Sequence, residues 1–434
     1  MENNLKLNIK RTTFIGLAFF TILMLWQVYN YYAPLFLEDL LITKFGGTPE
    51  EYAYIIGAIM AADNLFGLFM LPIFGTLSDK TNTKYGKRMP YIIIGTVLAA
   101  VIFPLIPVFY LNSSLVGIFV TMGLTLLVMN MYRNPAVALM PDITPKPLRS
   151  KANGIINLVG YLGAIFAGAL PMVLGEPSKD ATHAVILPFI LTSVLMIMAL
   201  VTLFVKIKEN KIAEEVKEEM EIGEKLAETN EVITEDKELS KNDKYNLYIL
   251  IASTFFWFFG FNAIESFGSL YAKNALSGGM SWGTVVIVLT ICSMISFIPA
   301  SMLASKIGRK NTVLTGLGLI IVAAIICSFL REITIVFLLL IAVCGIGWAM
   351  INCNSYPMVV ELANKNSVGK YTGYYYTASM LAQTITPIFV GLLFYFVPAG
   401  YKIMFPYAAI AMGLATGLFI TMRMKKMNNE KDAK

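Results

Sequence analysis

Twelve apolar stretches, each long enough to cross the hydrocarbon core of a bilayer, follow one another along this chain and leave little room for any other architecture. A helix rises about 1.5 Å per residue, so a core of about 30 Å takes roughly 20 residues. The spans are read at 12–37, 52–77, 90–111, 115–140, 152–174, 184–205, 245–270, 282–304, 312–330, 333–360, 371–397 and 403–422. The short alternating segments of a membrane β-barrel do not occur. In lipid every backbone N–H and C=O must pair inside its own segment, which leaves the α-helix. The expected fold is an all-α polytopic membrane protein, and a composition 57% hydrophobic and only 14% charged agrees with it.

Basic residues report the orientation. With both termini in the cytoplasm, 28 of the 34 Lys and Arg fall on the cytoplasmic side, five on the other side and one, Arg133, within a span. That is the positive-inside pattern, and the expected location is the plasma (inner) membrane. The net charge of +6 therefore reflects topology and gives no support to nucleic-acid binding. The first span follows Lys6, Lys10 and Arg11, but it is too long for a signal peptide and lacks a small-residue cleavage site, so it is expected to be retained. Cys292, Cys327, Cys344 and Cys353 lie in spans without metal-ligand spacing and are expected to pack. His183, the single histidine, falls in a loop on the non-cytoplasmic side. Neither a metal nor a cofactor is expected.

Residues 206–244 hold 8 Lys and 13 Asp or Glu with no aromatic residue. Such a segment cannot bury a core and reads as a solvated, charged cytoplasmic linker, helical in part over 212–226. It separates a six-helix bundle over residues 1–205 from a second over residues 245–434 that ends in a short basic tail. The halves echo each other. Gly75, Asp79, Gly86, Lys87 and Arg88 follow the second span, and Lys306, Gly308, Arg309 and Lys310 follow the eighth. Spans four and ten end alike, with Arg133, Asn134, Pro135 and Asp142 in one and Asn352, Asn354, Pro357 and Glu361 in the other. Arg149 and Lys370 then open the next spans. Duplication of this kind points to two pseudo-symmetric bundles around a shared cavity.

At these residues the chain resembles the major facilitator superfamily, whose loop between spans two and three carries a glycine, an acid and then a basic cluster. Its form here, Pro72, Gly75, Ser78, Asp79, Lys80, Thr81, Thr83, Gly86, Lys87, Arg88 and Pro90, is similar to the sucrose-transporter-type and glycoside-pentoside-hexuronide:cation symporter branches. Pro135 to Asp142, with Arg149, Ala152 and Asn153 after them, carry the same likeness. Gly67 and Leu71 stand where melibiose-permease-like members carry paired acids, so the proton leads as coupling ion and Na⁺ is the alternative.

The resemblance implies a cavity lined by spans one, four, seven and ten. The solute-binding candidates on them are Trp26, Tyr29 and Asn30; Asn130, Arg133 and Asn134; Trp257, Asn262 and Glu265; and Trp348, Asn352 and Tyr356. Aromatic faces suit the apolar face of a sugar ring, and amides and charges suit its hydroxyls. Asn352 and Asn354 are two apart, so one helix cannot aim both at one cavity. Charge inside lipid is costly and marks function, which makes Asp63, Arg133 and Glu265 the coupling candidates, with a structural ion pair as the other reading. The resemblance also implies a cytoplasmic gate, carried here by Gly75, Asp79, Gly86, Lys87, Arg88, Asp142, Arg149, Gly308, Arg309, Glu361 and Lys370.

No Gly-x4-Gly-Lys-Ser/Thr stretch exists for binding ATP phosphates, and zinc-protease patterns are missing too, so an enzyme is not expected. The expected function is secondary active transport by alternating access, as a proton-coupled symporter of a sugar or glycoside working as a monomer. The alternatives are an exporter or facilitator of another small organic solute, or a membrane sensor of the same fold that moves nothing.

Overall fold

Helices account for most of the described residues, as the unbroken apolar runs require. The computed structural model describes residues 5–231, 239–363 and 367–423, apart from the side chains of Asp63, Leu68, Leu71 and residues 227–231. Among the described residues, twelve helical stretches are long and apolar enough to cross a membrane. The helices are α1 (Ile9–Phe45), α2 (Pro49–Lys80), α3 (Met89–Ile102), α4 (Leu105–Leu111), α5 (Leu115–Asp142), α6 (Arg149–Leu174), α7 (Thr182–Lys206), α8 (Glu209–Glu215) and α9 (Lys217–Glu231). After them come α10 (Lys241–Ala275), α11 (Trp282–Ile307), α12 (Arg309–Cys327), α13 (Ile335–Leu362), α14 (Val368–Phe396) and α15 (Met404–Ile420). The third span is divided between α3 and α4 near Pro104, whose ring cannot continue a regular hydrogen-bond ladder.

The chain forms two compact units, one of Met1–Ile233 with Met280–Ile287 and one of Thr234–Gly279 with Val288–Lys434. Their internal packing repeats. In the first unit α1 packs on α6 and α7, and α3 on α5 and α7; in the second α10 packs on α14 and α15, and α12 on α13 and α15. The sequence echo thus extends to which helices touch. Small residues set the closest approaches. A Cβ on Gly163 of α6 would collide with the Phe20 carbonyl of α1. In the second unit, a Cβ on Gly316 or on Gly347 would come within 2.6 Å of the other glycine's carbonyl oxygen. Lipid offers helices no hydrophobic reason to associate, so close backbone packing of this kind holds them together. Apolar side chains such as Val116, Val173, Ile298 and Phe396 are largely exposed, the surface a multi-pass membrane protein presents to acyl chains.

Two expectations need correction. The first helix runs past residue 37 to Phe45, which carries Glu38 and Asp39 into it, and Glu38 is fully buried. The linker is not a free tether over its first half. Ile207, Glu209, Ile212 and Val216 are buried, and Gly223 of α9 lies against Pro145 and Pro147 in the turn after α5.

Candidate functional site

In the first unit, α1 and α5 bring together the two largest polar-aromatic candidates. The Arg133 guanidinium lies over the Trp26 ring, 5.0 Å from its centroid. Stacking on an aromatic face lets a cation sit at membrane depth while part of its charge is answered by the ring quadrupole. Asn30 is one turn beyond Trp26 and half-buried, and Tyr29 is buried. Asn130 is buried one turn before Arg133. Its amide nitrogen donates to the Leu126 carbonyl at 2.9 Å, and its Oδ1 has no hydrogen-bond partner among the described residues. A buried amide oxygen of that kind is costly unless something supplies a donor.

Asn134 sits differently from expectation. A Cβ on Gly75 would collide with its amide nitrogen, so Asn134 lies against α2, and Gly75 is the residue that lets it approach. Asp63 is in α2, and its side chain lies outside the described residues.

In the second unit, Phe261 of α10 stacks on Trp348 of α13 with ring centroids 3.7 Å apart and planes within 7°. Phe258 meets the same indole edge-on at 5.5 Å. Glu265 is one turn beyond Phe261 and is exposed, although its neighbours Ile264 and Ser266 are buried. Asn262 lies on the same side of α10, buried, with an amide nitrogen that has no partner among the described residues. On α13 the stripe continues through Asn352, whose amide donates to the Trp348 carbonyl at 3.2 Å, to the exposed Tyr356. Glu265, Asn262, Phe261, Trp348, Asn352 and Tyr356 thus form one polar-aromatic face. Asn354 points elsewhere and accepts from Arg309 at 3.5 Å.

Trp257 does not belong to that face. It is fully buried and meets Phe419 of α15 edge-on, so its indole is core and unavailable to a solute in this conformation. Phe258 and Phe261 are the rings that pack on Trp348 in its place. Nothing in the sequence distinguishes them among 28 phenylalanines.

At the linker-side helix ends, each unit carries a charge cluster. In the first, Arg88 pairs with Asp79 and, through Nε at 2.7 Å, with Asp142, and it also donates to the Ser78 hydroxyl. Lys87 adds a second cation to Asp142 at 3.2 Å. Burial alone would weaken the Arg88 charge, and the bonds and charges of Asp142 and Asp79 outweigh it, holding the guanidinium above its ordinary pKa. In the second unit Arg309 pairs with Glu361 at 2.7 Å. Gly86 and Gly308 precede these basic residues, with φ of 115° and 85°. Only glycine adopts that conformation freely.

The other expected gate partners go elsewhere. Arg149 donates to the carbonyls of Pro141 at 2.8 Å and Thr144 at 3.0 Å, closing the end of α5 where Asp142 was its expected mate. Lys370 lies over the rings of Tyr371 and Tyr374, 5.9 and 5.7 Å away, and the described partner of Glu361 is Arg309. Other polar clusters among the described residues involve groups that no motif marks. Tyr31 donates to Glu176 at 2.7 Å, Asp39 joins Tyr110 at 3.0 Å and Lys179 at 3.2 Å, and Glu209 sits at the start of α3. Each joins residues far apart in the chain, which no local pattern reveals.

The Major Facilitator Superfamily model matches residues 15–387, and the chain belongs to that family. It is accordingly a membrane transporter with the family's twelve-helix fold. Two relatives are each 23% identical to it. The isoprimeverose transporter of Lactiplantibacillus pentosus matches over 283 residues, 63% of this chain and 56% of the relative, so the matched stretch spans little more than half of that protein. Multidrug resistance protein 2 of Bacillus subtilis (strain 168) matches over 384 residues, 86% of this chain and 87% of the relative. Among solved structures, the D-xylose-proton symporter superposes with a TM-score of 0.67 at 14% identity, covering 96% of this chain and 97% of that one, which shows the shared fold.

Proposed function

We propose that the protein is a proton-coupled symporter of a sugar or glycoside, working by alternating access in the cell membrane with both termini in the cytoplasm. The observation that carries this reading is the face on α10 and α13, where an accessible carboxyl at Glu265 stands one turn from the stacked Phe261 and Trp348 rings. A flat aromatic pair suits the apolar face of a pyranose, and the carboxyl and amides beside it suit hydroxyls. A carboxyl that both touches solute and changes its proton occupancy links the two fluxes. Arg133 over Trp26 supplies a second such place in the first unit. The relative named for isoprimeverose transport and the fold neighbour named for D-xylose and proton symport support a sugar as cargo. The charge clusters on Arg88 and Arg309 then act as cytoplasmic gate elements that break and re-form during the cycle.

A second reading is export of an apolar organic cation. The multidrug relative, which matches more of the chain, favours it, and an aromatic stack beside a carboxylate also fits such a cation. Uptake by proteoliposomes separates the two. Under an imposed pH gradient the symport reading expects accumulation of D-xylose or isoprimeverose; no sugar flux together with proton-driven movement of a lipophilic cation dye would replace it with the second.

A further inference from the structure

The first four N–H groups of any helix have no partner within it, and a carboxylate placed there answers both the free donors and the helix dipole. At α3 that carboxylate comes from the linker. Glu209 accepts from the backbone N–H of Lys87 at 2.9 Å, of Arg88 at 3.1 Å to each oxygen, and of Met89 at 2.9 Å, and it is 4% exposed. The approach is built in on both sides. Gly86 takes φ 115°, and a Cβ there would collide with the Glu209 carboxyl. Next along the linker, the Asn210 amide donates to the Thr83 carbonyl at 2.9 Å, while Ile207, Ile212 and Val216 are buried. Glu215 and Glu219 lie close enough to Arg11 for favourable charge interaction.

Lys87 and Arg88 are therefore gripped twice. Glu209 holds their backbone, and Asp142 and Asp79 hold their side chains. Among the described residues the equivalent helix of the second unit has no such grip: α12 begins after Gly308 with no side-chain cap, and a Cβ on Gly308 would meet nothing within 4 Å.

From this double grip we infer that Glu209 is a positioning residue of the transport cycle. Docking of the linker fixes the start of α3 so that Arg88 spans Asp79 and Asp142 together, and undocking loosens that cluster. The linker is then a control element acting on the first unit's gate. The inference rests on the transport reading, and its first test does not need transport.

Amide hydrogen exchange on the full-length protein reads the docking directly. Glu209→Ala is expected to speed exchange of the Lys87, Arg88 and Met89 amides about tenfold or more, the loss expected for hydrogen bonds to a charged acceptor. Gly86→Ala, which leaves Glu209 in place but blocks its approach, is expected to do the same. Glu209→Asp, which keeps the carboxylate, restores most of the protection. In proteoliposomes, Glu209→Ala is expected to change the maximal rate by about threefold to tenfold with the half-saturation concentration unchanged, because the solute-facing groups are elsewhere. Should the alanine variant fail to fold, Glu209→Gln is read by the same criteria. Exchange at the wild-type rate in the Glu209 and Gly86 variants overturns the docking, and faster exchange with an unaltered maximal rate overturns the positioning role. Wild-type protein that moves no solute would instead count against the transport reading, with the exchange result still deciding the docking.

Discussion

Arg88 stands two residues after a glycine of positive φ and Arg309 one residue after another, and each lies at the start of an equivalent helix and reaches the acid that ends the neighbouring one. Their surroundings differ. The Arg88 side chain is 6% exposed and shared among Asp79, Asp142 and Ser78, over a backbone held by Glu209; the Arg309 side chain is 32% exposed and pairs with Glu361, itself 49% exposed. The same duplicated motif has thus become a cluster of partly exposed groups around one buried guanidinium in one unit, with Asp79 60% exposed, and a more open ion pair in the other. Physical chemistry treats the two unequally. Removing the buried Arg88 leaves the half-buried Asp142 short of a partner, whereas a more open pair is screened and contributes little.

Substitutions at the four residues test that contrast. Arg88→Ala is expected to have the largest effect, destabilising the purified protein by about 3 kcal/mol in chemical unfolding and reducing transport to near background, since Asp142 would keep only Lys87. Gly86→Ala comes next, at roughly 2 kcal/mol, because it combines backbone strain with displacement of Glu209. Gly308→Ala carries the strain alone and is expected to cost about 1 kcal/mol by the same unfolding measurement. Arg309→Ala should be mildest, at about 0.2–1 kcal/mol, and further weakened by salt. Equal losses at Arg88 and Arg309 would show that burial does not set the difference.

Much of the fold was legible because each span must satisfy its backbone alone, so length and apolarity suffice to find it. The repeat was legible from Gly86, Lys87 and Arg88 against Gly308, Arg309 and Lys310. Site residues were harder. Trp348, Asn352 and Glu265 were marked by polarity inside a span, but polarity could not tell that Trp257 turns into the core while the half-buried Phe261 stacks on Trp348 one turn from Glu265. Pairings such as Arg88 with Asp142 and Glu209 with α3 depend on chain segments 54 and about 120 residues apart. Glu209 was hidden for a further reason, since a linker rich in acids gives no sign of which one will be buried.

Coupling of solute movement to the proton through Glu265 is tested most directly by Glu265→Gln in proteoliposomes preloaded or unloaded with D-xylose. The amide keeps the shape and cannot carry the proton, so pH-gradient-driven accumulation is expected to fall to the equilibration level while exchange of labelled for unlabelled solute continues at a near-normal rate. Accumulation that survives undiminished in the glutamine variant would contradict it.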